Sequence, residues 1–346
     1  MLHHKTMTNE KRKNEHLRIS LHEPVDFSGV STGLDRYSFI HQALPEINLK
    51  DIKLSVKLFG KNLAAPIVIS PMVGGIKYAV RINRNLALAA QSLGLAMGIG
   101  SERCLIESPS SAKTYKVRDL APDILLFANL GAIQLNYGFT VKDCRKAVEL
   151  IEADALILHM NPLQEALQPE GNTNFAGLLN KIAAVCRELP VPVIIKEVGC
   201  GISAEAARKL VEAGITGIDV AGAGGTCWSE IERLRSTGEP EKRIASHFAN
   251  WGIPTADSLV MVRKAALKLP VIASGGIRTG IDAAKAIALG ADAVGIAAPL
   301  LKAADESAET VEAYLKEVIE VLRIAMFCIG APKVSDLKGT PFIYQF

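Results

Sequence analysis

The residues able to do chemistry lie far apart in this chain. Gly275 and Gly276 follow the apolar run Val271 to Ser274, and Arg278 stands two residues on. Two glycines after a strand let a phosphate approach backbone N–H groups. The N-terminus of a following helix favours the anion, and a guanidinium adds a charge-assisted contact. A tight strand-to-helix turn with no ligand has the same local sequence. Lys196 closes the run VPVIIKEVG (191–199), where a strand end places it; a partnership with Glu197 serves that position equally well. His159 and Asn161 open HMNPLQEALQPEGNTNF (159–175), a loop long enough to expect function of it. A strand-end histidine reads equally as a structural one, and a loop glutamate such as Glu170, read alone, is solvent-exposed. Arg12, Lys13 and His16 lie in RKNEHL (12–17); a basic run of this kind is usually solvated, so residues 1–20 read as a polar, mobile arm.

A repeating frame must hold these groups. From residue 64, apolar runs alternate with helical ones. The runs are 65–70, 95–101, 124–130, 155–161, 191–199, 217–225, 271–274 and 293–297. Helices are expected over 80–93, 111–120, 141–152, 175–189, 204–213 and 283–289. Thr279 and Asp282 have capping-box spacing, and Gly94, Gly214 and Gly290 act as stops. EADALIL (152–158), GITGIDV (214–220) and GADAVGI (290–296) repeat one junction of helix end and buried strand. Eight such units predict an α/β fold, a (β/α)8 TIM barrel, with chemistry on loops at the strand C-termini. A doubly wound sheet is the competitor, and no G-x-G-x-x-G with a later acidic residue supports it. Residues 1–63 read as an N-terminal arm and barrel-capping segment, with a hairpin strand at 52–59 under the barrel floor, and 64–346 as a single barrel domain. A long loop, 226–255, follows strand six.

The totals set outer bounds. There are 346 residues, 49% hydrophobic and 5% aromatic, with a net charge of +3. That charge does not argue for a nucleic-acid partner. No apolar run reaches about 18 residues, so no membrane span is expected. MLHHKTMTNEKRKNEHL lacks the apolar core of a secretory signal. Six cysteines without C-x-x-C spacing fit reduced thiols and a cytoplasmic protein.

Motifs spanning nearly the whole chain resemble one family, the type 2 isopentenyl-diphosphate isomerases. They are RKNEHL (12–17), PMVGG (71–75), GSER (100–103), NLGAIQL (129–135), HMNPLQEALQPEG (159–171), IIKEVGCGIS (194–203), DVAGAGGTCW (219–228) and SGGIRTGID (274–282). The first and fifth discriminate best, whereas SGGIR alone fits many flavin or phosphate barrels. The resemblance implies FMN, active when reduced, with NAD(P)H as a reductant, and Mg2+ on a prenyl diphosphate. It also implies a homotetramer or homo-octamer in the cytoplasm. The reaction moves an allylic proton, and unactivated C–H and C=C groups resist side-chain acids, so a cofactor is a physical expectation.

By the same resemblance, Lys196 lies at the flavin N1–O2 edge. Gly275, Gly276, Ile277 and Arg278 hold the flavin phosphate, with Ala297 and Ala298 closing that pocket. Met72, Val73, Gly74, Ser101, Asn129 and Thr226 surround the ring and ribityl chain, although capping also explains Ser101 and Thr226. Gln168 sits over the hydrocarbon end as a positioning amide, and Glu170 is the metal carboxylate. Arg12, Lys13 and His16 fold over the diphosphate, opposite Ser101 and Arg103, while His159 and Asn161 contact substrate or metal-bound water. The chain departs from the family at Val73, Ala221, Glu102 and Cys227. An FMN-dependent 2-hydroxy-acid oxidase or dehydrogenase is the alternative; it needs a loop histidine as base, and only His247 is placed for that. A non-catalytic flavin- or phosphate-binding scaffold is the third reading.

Overall fold

The barrel strands are short, and nearly every residue in them is buried, as the sequence runs require. In the computed structural model, which describes residues 2–346 with side chains from position 10 onward, they are β1 Ile67–Ile69, β2 Ala96–Gly98, β3 Leu126–Gly131, β4 Ala155–Met160, β5 Val193–Glu197, β6 Gly217–Asp219, β7 Val271–Ala273 and β8 Ala293–Ile296. All pair in parallel. Val294 lies beside Ile67, closing the ring between β8 and β1. The predicted (β/α)8 barrel is therefore the fold. The hairpin Val56–Leu58/Lys61–Leu63 plugs its floor, where Phe59 meets Phe127 edge to face at 5.9 Å. Leu58 and Leu63 pack there with Val68, Ala96, Phe127, Ile194 and Ile272. A last strand, Ile343–Gln345, pairs antiparallel with Tyr37–Phe39 outside the barrel.

Several expected elements came out differently. From position 10 onward the expected solvated arm is a docked helix. Leu2–His22 is a helix, with Leu17 and Ile19 buried against the barrel mouth; residue 1 lies outside the described residues. Local composition hid this, because its apolar residues are sparse and gain burial only by docking. The helix expected over 111–120 is instead the short helix Arg103–Glu107 and a 3-10 segment, Pro109–Thr114. Pro109 opens that segment, and a serine-rich run favours turns over a long helix. The region after β6 is largely helical, with Trp228–Arg235 and Glu239–Ser246. The Thr279–Asp282 capping box forms as expected, with the Asp282 N–H donating to Thr279 Oγ1 at 3.1 Å.

The repeated strand-entry motif has a structural counterpart at the base of the barrel. Asp154 Oδ2 accepts from Arg118 (3.0 Å) and from the Leu126 N–H (2.9 Å), while Lys61 reaches its Oδ1 at 2.8 Å. Asp292 Oδ2 accepts from Arg263 (2.6 Å) and from the Val271 N–H (2.8 Å), while Lys338 reaches its Oδ1 at 2.6 Å. Each aspartate thus satisfies the first N–H of the preceding strand, half a barrel apart. Each arginine also caps carbonyls of the loop leading into that strand, Arg263 at Ala266, Leu267 and Leu269. Asp292→Ala would strand the buried Val271 N–H and two cations, a loss of about 2 kcal/mol. Thermal denaturation should show Tm lowered by a few degrees; an unchanged Tm would mean that the latch does not contribute to stability.

Candidate active site

The cleft lies at the C-terminal ends of the strands. One corner is formed by the turns after β6, β7 and β8. Gly275 takes φ +100, and a Cβ there would lie 2.1 Å from the Gly222 carbonyl oxygen. Gly276 takes φ +75, and its Cβ would lie 2.5 Å from both Gly224 O and Thr32 Cγ2. Thr255 donates its hydroxyl to Gly275 O at 2.6 Å, which fixes the turn. The result is a backbone cradle that no side chain fits, the property a phosphate site needs. Ile277, Ala297 and Ala298 line the same corner, and Ala298 begins the helix Ala298–Glu306. Arg278 lines it too, but its guanidinium is turned outward onto Asp26 at 2.7 Å.

Lys196, from the end of β5, lies in the middle of the cleft and is 8% exposed. Its carboxylate partner is Asp219, not Glu197. The ammonium donates to the Glu197 backbone oxygen (2.9 Å) and to Ser274 Oγ (3.3 Å), and pairs with Asp219 Oδ2 at 3.4 Å. The Glu197 carboxylate turns away and accepts from the N–H groups of Val198, Gly199 and Cys200. Burial, against those three donors, pushes Glu197 up to about 7.

The opposite wall carries the amides. His159, at the end of β4, donates Nδ1–H to Asn129 Oδ1 at 2.6 Å, which leaves Nε2 as the acceptor. Burial, then Lys196 and Lys13, pushes His159 down to about 4, so the ring is neutral. Asn161 gives its amide hydrogens to Gln164 (2.9 Å) and Glu165 (3.2 Å). Asn161 Oδ1 and Gln168 Oε1 are buried, line the cleft, and have no partner. Buried polar atoms are nearly always paired; Ser70 Oγ, also on the cleft lining, is a third without a partner, and a donor-bearing ligand would satisfy the two amide oxygens. Glu102, one of the departures from the family pattern, lies behind this wall at 0% exposure. It does not pair with Arg103; its Oε1 accepts the Asn129 N–H at 2.8 Å, and burial holds the carboxyl well above the usual range.

The N-terminal helix closes the mouth. Arg12 and Arg103 both line the cleft. Burial and then the charge of Arg103 lower the Arg12 guanidinium from its ordinary value, with Glu170 and Glu165 opposing; Arg103 itself pairs with Glu107 at 2.9 Å. Lys13 also lines it, but its ammonium is committed to Gly74 O (2.8 Å), Ser101 O (2.9 Å) and Tyr115 Oη (3.0 Å). It therefore staples the helix to the loops of Gly74 and Ser101, and a diphosphate would have to displace one of these three oxygens to accept from it. His16 pairs with buried Glu232 at 2.9 Å, edge-on to Trp228. Met72, Val73, Ser101 and Thr226 all fall on the cleft lining.

Glu170 does not line the cleft. It forms a close ion pair with Arg235, and Arg12 Nε stands 3.9 Å away. Among the described residues no cluster of three metal-ligating side chains occurs, so a cation there would draw ligands from substrate and water. His247, the base that the hydroxy-acid reading needs, is exposed on the helical insertion and away from the cleft. The sequence reading missed Asp219, Gln164, Glu165, Glu232 and Arg235. Asp219 did carry a signal, being a carboxylate inside an otherwise apolar strand, GIDV. The rest sit on helices whose docking no local pattern reveals.

Comparison with known proteins places this geometry. A family model described as FMN-dependent dehydrogenase matches residues 146–343. The isopentenyl-diphosphate delta-isomerase of Synechococcus sp. is 52% identical over 328 residues, covering 95% of this chain and 94% of the relative. That of Rickettsia bellii is 51% identical over 332 residues, covering 96% and 97%. Among solved structures, a mandelate oxidase variant with an FMN adduct superposes with a TM-score of 0.65 at 21% identity, over 91% of this chain and 90% of that one. A flavocytochrome b2 variant with pyruvate bound gives 0.69 at 16%, over 95% and 82%. These two share the barrel. No helix among the described residues is long and apolar enough to cross a membrane. With a match of this identity running almost end to end, and a cleft built from the same motifs, the chain belongs to the isopentenyl-diphosphate delta-isomerase family, on the barrel of the FMN-dependent dehydrogenases.

Proposed function

We propose that this chain interconverts isopentenyl and dimethylallyl diphosphate by a 1,3-allylic proton shift, with reduced FMN in the glycine cradle and Mg2+ on the substrate diphosphate. The observation that carries the reading is the pair of unpartnered amide oxygens, on Asn161 and Gln168, in a cleft lined also by the glycine cradle and by Arg12 and Arg103. Reduced FMN supplies an acid–base centre able to act at an unactivated alkene, which no side chain here offers. The protein's part is to bind, orient and exclude water. Gly275, Gly276, Ile277, Ala297 and Ala298 take the flavin phosphate, with Arg278 available if it leaves Asp26. Met72, Val73, Gly74, Asn129 and Thr226 enclose ring and ribityl chain, and Lys196 offers its charge at the ring edge. Arg12, Arg103 and Ser101 bind the diphosphate. His159 keeps its Nδ1 proton directed at Asn129 Oδ1, so its Nε2 meets a donor rather than a bare phosphate oxygen. Gln168 orients the hydrocarbon end. Lys13 and His16 act one step back, by holding the helix that covers the mouth. Residues 1–63 thus serve as lid and floor to a single barrel domain, 64–346. NAD(P)H as reductant, a homotetramer or homo-octamer, and a cytoplasmic location are proposed on the family resemblance alone.

Glu170 is the proposed magnesium carboxylate, and it must loosen from Arg235 to serve. One carboxylate completed by diphosphate oxygens and water suits Mg2+. Glu170→Gln should raise the Mg2+ concentration for half-maximal activity about tenfold or more, as losing one charged ligand implies. An unchanged Mg2+ curve with a lowered Tm would make Glu170 only the partner of Arg235.

The function is tested by anaerobic incubation of the holoprotein with isopentenyl diphosphate and Mg2+, with and without dithionite. Dimethylallyl diphosphate formed over many turnovers per flavin, in the reduced sample alone, is the expected result. No product from FMN-loaded protein, together with flavin bleaching by 2-hydroxy acids, would replace this reading with the oxidase one.

A further inference from the structure

Asp219 lies at the end of β6 with its side chain 3% exposed. Two donors hold its Oδ1, the Ser274 hydroxyl at 2.6 Å and the Ala221 N–H at 3.3 Å. Ala221 takes φ +38, unusual for a residue with a Cβ, so the backbone is bent where that N–H is delivered. Its Oδ2 faces Lys196. An ammonium has three N–H groups, and here all three are directed at protein oxygens: Glu197 O, Ser274 Oγ and Asp219 Oδ2. Any ligand that accepts from Lys196 must take a hydrogen from one of them. The backbone contact is the shortest, so the contacts to Ser274 and Asp219 are the ones to yield.

We propose that Asp219 is a positioning residue for the flavin: with Ser274 it holds Lys196 in a buried ion pair and thereby limits the positive charge that Lys196 presents to the reduced ring. The proposal rests on the reading that FMN lies against Lys196. The physical argument is charge balance in a dry site. A neutral oxidised ring beside a balanced Lys–Asp pair adds no net charge. Reduction by two electrons and one proton leaves a ring with one negative charge, which competes with Asp219 for the ammonium. Removing the carboxylate leaves Lys196 unopposed, so the reduced form gains relative to the oxidised one. Asp219 therefore limits how strongly the site favours reduced over oxidised FMN.

The test is the midpoint potential of the bound flavin, measured anaerobically by equilibration with dithionite and a reference dye. The proteins are the wild-type holoprotein, Asp219→Asn, Asp219→Ser, Lys196→Gln and the double Asp219→Asn/Lys196→Gln. Asp219→Asn should favour reduced over oxidised FMN about tenfold, an upward shift of about 30 mV for a two-electron couple. Asp219→Ser removes the same charge with a smaller side chain and should shift the same way, which covers the case in which the asparagine misfolds. Lys196→Gln should shift downward, and in that background Asp219→Asn should lose most of its effect. An unchanged potential in both Asp219 variants overturns the proposal. So does a shift that persists in full without Lys196, because Asp219 would then act by its own field. Wild-type protein that fails to bind FMN would instead defeat the functional reading, and wild-type isomerisation with no Asp219 effect would defeat this inference alone.

Discussion

Lys196→Gln is expected to lower turnover by about 10²- to 10³-fold, the usual loss when one preorganised electrostatic contact is removed from a buried site. The same substitution should destabilise the protein by about 3 kcal/mol or more, since it leaves Asp219 as a buried charge without its partner. The two effects separate in the double variant with Asp219→Asn. Removing both charges should restore much of the lost Tm, while turnover stays low because the ring edge still lacks its cation. Product formation by FMN-loaded, dithionite-reduced protein gives the first quantity, and thermal denaturation the second. Lys196→Gln with near wild-type turnover would confine Lys196 to a structural pair with Asp219.

The second large effect is expected from the cradle. Gly275→Ala puts a Cβ 2.1 Å from the Gly222 carbonyl oxygen on a residue at φ +100. Neither the side chain nor the conformation can be accommodated, so the turn must open. The strain is worth about 1–3 kcal/mol, and the N–H groups aimed at the anion move with it. The variant should bind FMN at least about a hundredfold more weakly, as loss of two or more charge-assisted hydrogen bonds implies. Flavin absorbance retained through gel filtration reads this directly. Gly177→Ala is the control. Gly177 also has positive φ (+68) but nothing lies within 4 Å of its would-be Cβ. It should cost about 1 kcal/mol of stability and leave FMN in place. Equal flavin content in the two variants would show that the Gly275 turn is not the phosphate site.

Much of the frame could be read from local patterns. Buried parallel strands are apolar on both faces, so eight short apolar runs spaced by helices gave the barrel without reference to its contacts. The Thr279–Asp282 capping box and the paired glycines after β7 were equally legible, because cap and turn chemistry depends on residues a few positions apart. Where local composition misled, docking decided. The N-terminal helix is polar by sequence and folds onto the mouth through a few buried contacts, Leu17 and Ile19 among them, and through Lys13, whose three oxygen partners come from loops 61 to 102 residues away. Residues 226–255 were read as a loop and proved mainly helical, since their short helices are stabilised by packing on the cleft wall rather than by propensity.

The candidate site divides in the same way. Residue types alone marked Gly275, Gly276 and Arg278 as able to meet a phosphate, whereas the flavin-edge and diphosphate roles came from the family resemblance of the motifs. The partner each group takes was decided only by the tertiary structure. Lys196 pairs with Asp219 across adjacent strands rather than with its neighbour Glu197, since successive side chains on a strand point to opposite faces and residues in register on neighbouring strands share one. Glu170 rests on Arg235 from the helical insertion, and Glu102 turns inward to the Asn129 N–H. Sequence specifies the chemical repertoire, and barrel closure specifies which charges balance, because electrostatic pairing in a buried cleft depends on distances that only the closed ring sets.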